Sequence, residues 1–266
     1  MVVNRAHIVD GNFRSWLERR AEQPWAPQSR GLPVRSDTSL DGWTALELLD
    51  SQMTCRQLDL AARDHKANNL GYYTIGSAGH EGNVVLGRLL RHTDPAFLHY
   101  RSGAFVVERN RHLSGSTPIF DTLLSLVASA DDPISGGRHK VFGSRPLWIP
   151  PQTSTIASHL PKAVGCAFML ERCLHLGEPV EVPEDAIVAC SFGDASVNHN
   201  VAQGAFNSAG WAAHQSLPLP VLFICEDNGC GISVKTPEGW IGDTFRQRPD
   251  MDYFAADGLD LARAWS

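Results

Sequence analysis

Two short apolar runs, residues 186–192 and 220–225, are nearly free of charge and rich in strand-forming side chains. That is the pattern of strands covered on both faces of a sheet. Each ends abruptly in a polar cluster: Gly193-Asp194-Ala195-Ser196-Val197-Asn198 after the first, Glu226-Asp227-Asn228-Gly229-Cys230-Gly231 after the second. Between them, residues 196 to about 213 predict a helix. A crossover of that length makes the two strands parallel. Both clusters then sit at the carboxyl ends of parallel strands, where open α/β sheets bind ligands. Elsewhere, Leu46, Leu49, Met53, Leu58 and Ala61 fall at helical spacing and predict a helix over 44–66. Further helices are predicted over 81–90, 119–128 and 162 to about 174, the last preceded by Pro161, which a helix start tolerates. Residues 1–40 differ: a short amphipathic piece around Phe13, Trp16 and Leu17 leads into a polar, turn-forming stretch. They read as an arm whose tryptophans, Trp16 and Trp25, pack either on a partner chain or on their own domain. One α/β domain follows over 41–266.

The two clusters carry the candidate chemistry. A hard cation such as Mg²⁺ takes oxygen ligands in an octahedron and keeps phosphate oxygens among them. Asp194 offers a carboxylate oxygen, Asn228 a carboxamide oxygen, and the chain near Cys230 a backbone carbonyl. Gly193, Gly229 and Gly231 allow sharp turns and close approach to a bulky anion. A helix beginning after Asp194 offers free N–H groups and a positive dipole end to phosphate. Taken singly, Asp194 could be a helix N-cap and Asn228-Gly229 an ordinary turn. Taken together after two parallel strands, they read as one metal and diphosphate cradle.

This pairing resembles the thiamin diphosphate motif, Gly-Asp-Gly followed further along by Asn-Asn. From about Leu40 onward the chain is similar to the α subunit of 2-oxo acid dehydrogenase decarboxylating components, the branched-chain enzymes especially. Three more blocks carry the resemblance: GSAGHEGNVVLGRLLRHTDPAFLHYRSGAF at 76–105, PISGGRHKVFG at 133–143 and TSTIASHLPKAVGCAF at 153–168. It implies a thiamin diphosphate-binding α/β fold, a mainly parallel sheet with helices on both faces. That fold is expected to be incomplete at the C-terminus, since the chain ends inside the helix after Asp257-Gly258.

The resemblance also implies roles. Tyr100 and Arg101, with His99 beside them, belong on the diphosphate, where the planar guanidinium fork gives paired charge-assisted hydrogen bonds. The backbone carbonyls of Ser154 and Ile156 hold the aminopyrimidine, with the Ile156 side chain near the ring. Asn198 lies near the diphosphate, or hydrogen-bonds within its own helical turn. His139 faces the cofactor, or forms part of a basic surface turn. Ser158 and His159 stand where the branched-chain enzymes bind a monovalent cation. Histidine is a departure there, and His159 reads as an organiser of its loop. Two other departures matter. Ala195 replaces the motif's last glycine, at a cost on the order of 1 kcal/mol if its φ is positive. Asp227 replaces the first asparagine and adds negative charge beside the metal.

The implied activity is oxidative decarboxylation of a 2-oxo acid with Mg²⁺ and thiamin diphosphate, the acyl group passing to a lipoyl-bearing acyltransferase. In this family the glutamate that activates the cofactor belongs to the β subunit, and a histidine that assists lipoyl transfer would lie beyond Ser266. The chain is therefore expected to be half of a site, completed by a β subunit or a fused β-like domain, and to turn over no substrate alone. A non-catalytic assembly module that keeps the fold, or another transketolase-like thiamin enzyme, stays open as an alternative.

Composition narrows the partners. At 266 residues, 43% apolar and 20% charged, the chain can bury one substantial α/β core. A net charge of −6 without a basic tract argues against nucleic acid. The six cysteines form no CxxC pair, and Cys190 and Cys225 fall in predicted strands, so reduced core thiols and a cytoplasmic location are expected. No apolar run reaches the ~18 residues that span a bilayer, and the first residues lack the apolar core of a signal peptide.

Overall fold

The computed structural model describes residues 5–23, 29–72, 76–138, 141–152, 155–248 and 250–266. Trp25, His139 and Ser154, singled out above, lie outside the described residues. In chain order the helices are α1 (Arg5–Ala21), α2 (Gly42–Ala67), α3 (Val84–Leu89), α4 (Gly103–Arg109), α5 (Pro118–Leu126), α6 (Leu160–Leu176), α7 (Asn200–His214), α8 (Trp240–Phe245) and α9 (Leu261–Trp265). The strands are β1 (Ala96–Phe97), β2 (Phe142–Ser144), β3 (Ile149–Gln152), β4 (Val188–Gly193), β5 (Val221–Glu226), β6 (Cys230–Gly231) and β7 (Val234–Lys235).

The two predicted strands are β4 and β5, and they are parallel. They pair in register from Val188↔Val221 to Gly193↔Glu226, and β4 pairs on its other side with β1, giving the order β1-β4-β5. Alternation along β4 sends side chains into two cores. Val188, Cys190 and Phe192 join Leu160, Ala163 and Ala167 of α6 and Ala205 and Phe206 of α7. Ala189 joins Leu98, Phe105 and Val106 of the α4 side and Ile149 of β3. Both faces are covered, with α6 and α7 on one side and α4 with the β2–β3 hairpin on the other. An uninterrupted apolar run is what such a position requires. The Phe206 ring lies 5.5 Å from that of Phe192 and 5.0 Å from that of Phe223, and burying each ring contributes about 2–3 kcal/mol. β5 is only half-buried and forms an edge of the described sheet, so double coverage holds for β4 alone.

The helices form close to the predicted places, with instructive differences. α2 starts where the Asp41 carboxylate accepts the Thr44 N–H at 2.7 Å. Its buried face is Leu48, Ser51, Cys55, Leu58 and Ala62, while Leu46, Leu49 and Met53 are exposed. The helix is where the spacing puts it, but the neighbouring face is turned inward. Leu48 and Cys55 of that face pack on Leu40, Val84 and Ala104, and between them the Ser51 hydroxyl donates to the fully buried Glu108 carboxylate at 2.6 Å. A buried charge needs such partners. The helix predicted from 196 is split. Asp194–Asn198 is a 3-10 turn, His199 is extended, and α7 begins at Asn200. The N–H groups beside Asp194 therefore belong to a tight turn and not to the end of an α-helix. The 81–90 helix likewise opens with a 3-10 turn, Glu81–Asn83, before α3. β1 and the β2–β3 and β6–β7 hairpins were not foreseen, because strands of two to four residues carry no readable period.

In the first forty residues, α1 buries none of its side chains. The return segment packs on the body: Leu40 enters a cluster with Leu48, Val84 and Ala104, and Arg35 pairs with Asp260 at 2.8 Å. Among the described residues no helix is long and apolar enough to cross a membrane.

Candidate active site

Three polar segments leave the sheet at its carboxyl edge. His99, Tyr100 and Arg101 follow β1, Asp194 follows β4, and Asp227 and Asn228 follow β5. Because β4 lies between β1 and β5, they emerge side by side. The chain after β5 then doubles back as the β6–β7 hairpin and folds over the 3-10 turn. The Thr236 hydroxyl donates to Asp194 Oδ2 at 2.5 Å, and the Thr236 N–H donates to the Gly229 carbonyl at 3.0 Å. A Cβ built at Gly231 would lie 2.7 Å from the Ala195 methyl.

That contact explains the altered motif. Ala195 is not in the left-handed backbone region, so the strain foreseen for it does not arise. Its methyl is accommodated because position 231 has no side chain. Gly193 is extended at φ −80, and a Cβ there would make ordinary contact with His99 at 3.5 Å, so a sharp turn is not its role. Gly229, at φ 69, does make one.

Asp194 is 1% exposed. Its carboxylate accepts the Thr236 hydroxyl, and among the described residues no lysine or arginine pairs with it. Asn228 is exposed; its Oδ1 accepts the Cys230 N–H at 3.0 Å, and its Nδ2 faces His80 Nε2 at 3.2 Å. Cys230 is held in the β6–β7 pair opposite Lys235. Ser196 is buried inside the 3-10 turn, whereas Asn198 at its end and Ile156 in the loop before α6 are exposed and outside this hydrogen-bonded group.

On the β1 side, the Arg101 guanidinium donates to the Gly76 carbonyl at 2.6 Å and lies 5.2 Å from the Tyr100 ring centre. The Tyr100 ring is 4.2 Å from that of His99. His99 is buried, and among the described residues its Nδ1 has no hydrogen-bond partner. Burial first, then the charges of His80, Arg101 and His159, pushes its imidazole down to about 3. The ring is therefore neutral near pH 7, with one donor and one acceptor nitrogen. The His99 backbone N–H donates to the Ser191 hydroxyl at 2.8 Å, and His159 Nε2 donates to the Ser191 carbonyl at 2.7 Å. His159 thus ties its loop to β4. Burial lowers its pKa, against the opposing effect of that bond.

Sequence reasoning missed several members. His80 Nδ1 bonds Glu226 Oε2, Glu226 Oε1 accepts the Ser102 hydroxyl at 3.4 Å, and the Ser102 and Ser191 hydroxyls lie 3.2 Å apart. Among the described residues, His80, His99 and Glu226 bring potential ligand atoms within 4.8 Å of one another, a different set from Asp194, Asn228 and Cys230. The signal for two of them was at hand: His80 lies in the 76–105 block, and Glu226 opens the second polar cluster. Thr236 had none, since only the return of the hairpin brings it to Asp194.

The dehydrogenase E1 component family matches residues 50–261. The chain belongs to this family. Its E1 relatives include the 2-oxoisovalerate dehydrogenase subunit alpha, mitochondrial, of Mus musculus, 27% identical over 172 residues, 64% of this chain and 34% of that protein. The protein of the same name from Caenorhabditis elegans is 24% identical over 235 residues, covering 86% and 50%. The 2-oxoisovalerate dehydrogenase subunit alpha of Bacillus subtilis is 36% identical over 117 residues, covering 43% and 31%. The chain thus spans half or less of the length of these relatives. Membership of the E1 family agrees with the four sequence blocks and with the parallel α/β sheet.

Proposed function

We propose that this chain is the α part of a thiamin diphosphate-dependent 2-oxo acid dehydrogenase and holds Mg²⁺ and the cofactor's diphosphate at the rim of β1, β4 and β5. The observation that carries this reading is Asp194: a carboxylate 1% exposed at the end of the central strand, with the Thr236 hydroxyl against it and, among the described residues, no lysine or arginine. A buried charge so placed calls for a counter-charge, and a cation that prefers oxygen ligands supplies it. The Nδ1 of His99, without a partner among the described residues, and the open backbone at Gly229 suit a hydrogen-bonding anion in the same place.

Asp194 would give the charged ligand, Asn228 Oδ1 a neutral one and the Cys230 carbonyl a third. Arg101, Tyr100 and His99 would receive diphosphate oxygens, the guanidinium by paired charge-assisted bonds. Ile156 and the Ser154 backbone would hold the aminopyrimidine. Glu226 is kept in place by His80 and Ser102. When bound, the cofactor supplies the electron sink for loss of carbon dioxide from a 2-oxo acid. This chain's residues anchor and orient.

The relatives' names support a branched-chain 2-oxo acid as substrate and a second subunit beside this one. We assign the partners as a β subunit or fused β-like domain and a lipoyl-bearing acyltransferase. The six free thiols suit a reducing compartment, the cytoplasm in this reading. Calorimetric titration of the full chain with Mg²⁺ and thiamin diphosphate tests the site. Asp194→Ala should lose metal-dependent binding, and an unchanged affinity in that variant overturns the assignment.

A further inference from the structure

A carboxamide is nearly symmetric in shape and opposite in charge at its two ends. Turned over, Asn228 would present an NH₂ group to a cation in place of its oxygen. We propose that His80, itself fixed by Glu226, is the positioning residue that sets the Asn228 carboxamide with its oxygen toward the cation. This inference rests on the reading of Asn228 as a metal ligand.

The geometry assigns every group one role. Glu226 ends β5 opposite Gly193, and its side chain is 11% exposed; that of His80 is 3% exposed. Glu226 Oε2 meets His80 Nδ1, and Oε1 accepts from Ser102. The Cys230 N–H donates to Asn228 Oδ1, so the NH₂ end of the carboxamide is the one turned to His80; Nε2 is the acceptor of that contact, and Nδ1 is the ring nitrogen that donates to Glu226. Across 3.2 Å from Nε2 lies Asn228 Nδ2, which only donates. The far end of the carboxamide then faces the other way, where Oδ1 accepts the Cys230 N–H at 3.0 Å and keeps a second lone pair free. Reversal would set oxygen against the lone pair of Nε2 and NH₂ against the Cys230 N–H, breaking both bonds at once. A carboxylate thus sets a tautomer, the tautomer sets an amide, and the amide presents its oxygen. Outer partners of metal ligands work in this way generally, and losing one weakens metal affinity about 10- to 100-fold.

The test is Mn²⁺ binding to the full chain in the presence of thiamin diphosphate, read from the electron paramagnetic resonance of free Mn²⁺, with a thermal melt for every variant. His80→Asn keeps a donor toward Glu226 and lacks an acceptor for Asn228; His80→Gln restores an acceptor near the Nε2 position. The expected result is about 10- to 100-fold weaker binding in His80→Asn, with most of it recovered in His80→Gln. In an Asn228→Ala background, His80→Asn should cause no further loss, because the group it orients is gone. Equal losses in both backgrounds, or full affinity in His80→Asn while Asp194→Ala abolishes binding, overturn the positioning role and leave the site standing. Full affinity in Asp194→Ala, or no binding by the unaltered chain, overturns the site and this inference together.

Discussion

Glu108 and Asp194 are buried to the same degree, 0% and 1% exposed, and are treated very differently by the fold. Glu108 receives the Ser51 hydroxyl and the guanidinium groups of Arg88 at 2.6 Å and Arg111 at 3.2 Å. Asp194 receives, among the described side chains, one threonine hydroxyl. The first is a closed network that ties α2 to α4 and needs nothing further. The second carries a charge that no described residue balances, although burying such a charge costs several kcal/mol. Burial alone therefore does not separate architecture from chemistry; the set of partners does.

Substitution should move the two carboxylates in opposite directions. In metal-free buffer, Glu108→Ala should cost about 3 kcal/mol in chemical denaturation, the low end for a broken buried pair because Arg88 and Arg111 can reach water. Asp194→Asn, which removes an uncompensated charge, should raise the denaturation midpoint under the same conditions. A destabilised Asp194→Asn would mean that the carboxylate is structural after all. Next in size, Gly231→Ala should cost about 1–3 kcal/mol by overpacking against Ala195, and adding Ala195→Gly should recover it. No recovery in the double variant would show that the glycine serves some other purpose.

The last effect is a pH slope. The His99 pKa is about 3 in the folded chain against an ordinary 6.5, so between these values the unfolded chain takes up a proton that the folded one refuses. Stability from this source is complete above pH 6.5 and is lost as pH falls toward 3. The slope reaches about 1.4 kcal/mol per pH unit for one proton. His159, also lowered by burial, acts in the same direction. Urea midpoints measured across this range should flatten in His99→Gln; an unaltered slope would assign the effect to other groups.

The placement of the candidate residues could be read from the chain because they sit at strand ends. The apolarity of β4 and the length of the crossover were enough to make β4 and β5 parallel and to bring Asp194 and Asn228 to one edge. What escaped depended on partners distant in sequence. The inward face of α2 packs on Leu40, Val84 and Ala104 and sets Ser51 on Glu108, partners that the spacing within the helix does not show. His80 acquires its role only through Glu226, 146 positions away, and Thr236 only through the return of the β6–β7 hairpin onto Asp194. β1 is two residues long, too short to show alternation, yet it places His99, Tyr100 and Arg101.

The nearness of Ala195 to Gly231 has a historical consequence. Two loops separated by a whole helix and strand cannot drift independently at this point: a methyl acquired in one obliges the other to stay bare. Substitution has a permitted order, in which position 195 must first lose its methyl before position 231 can gain one. Related chains should carry that order as a correlated pair of small residues.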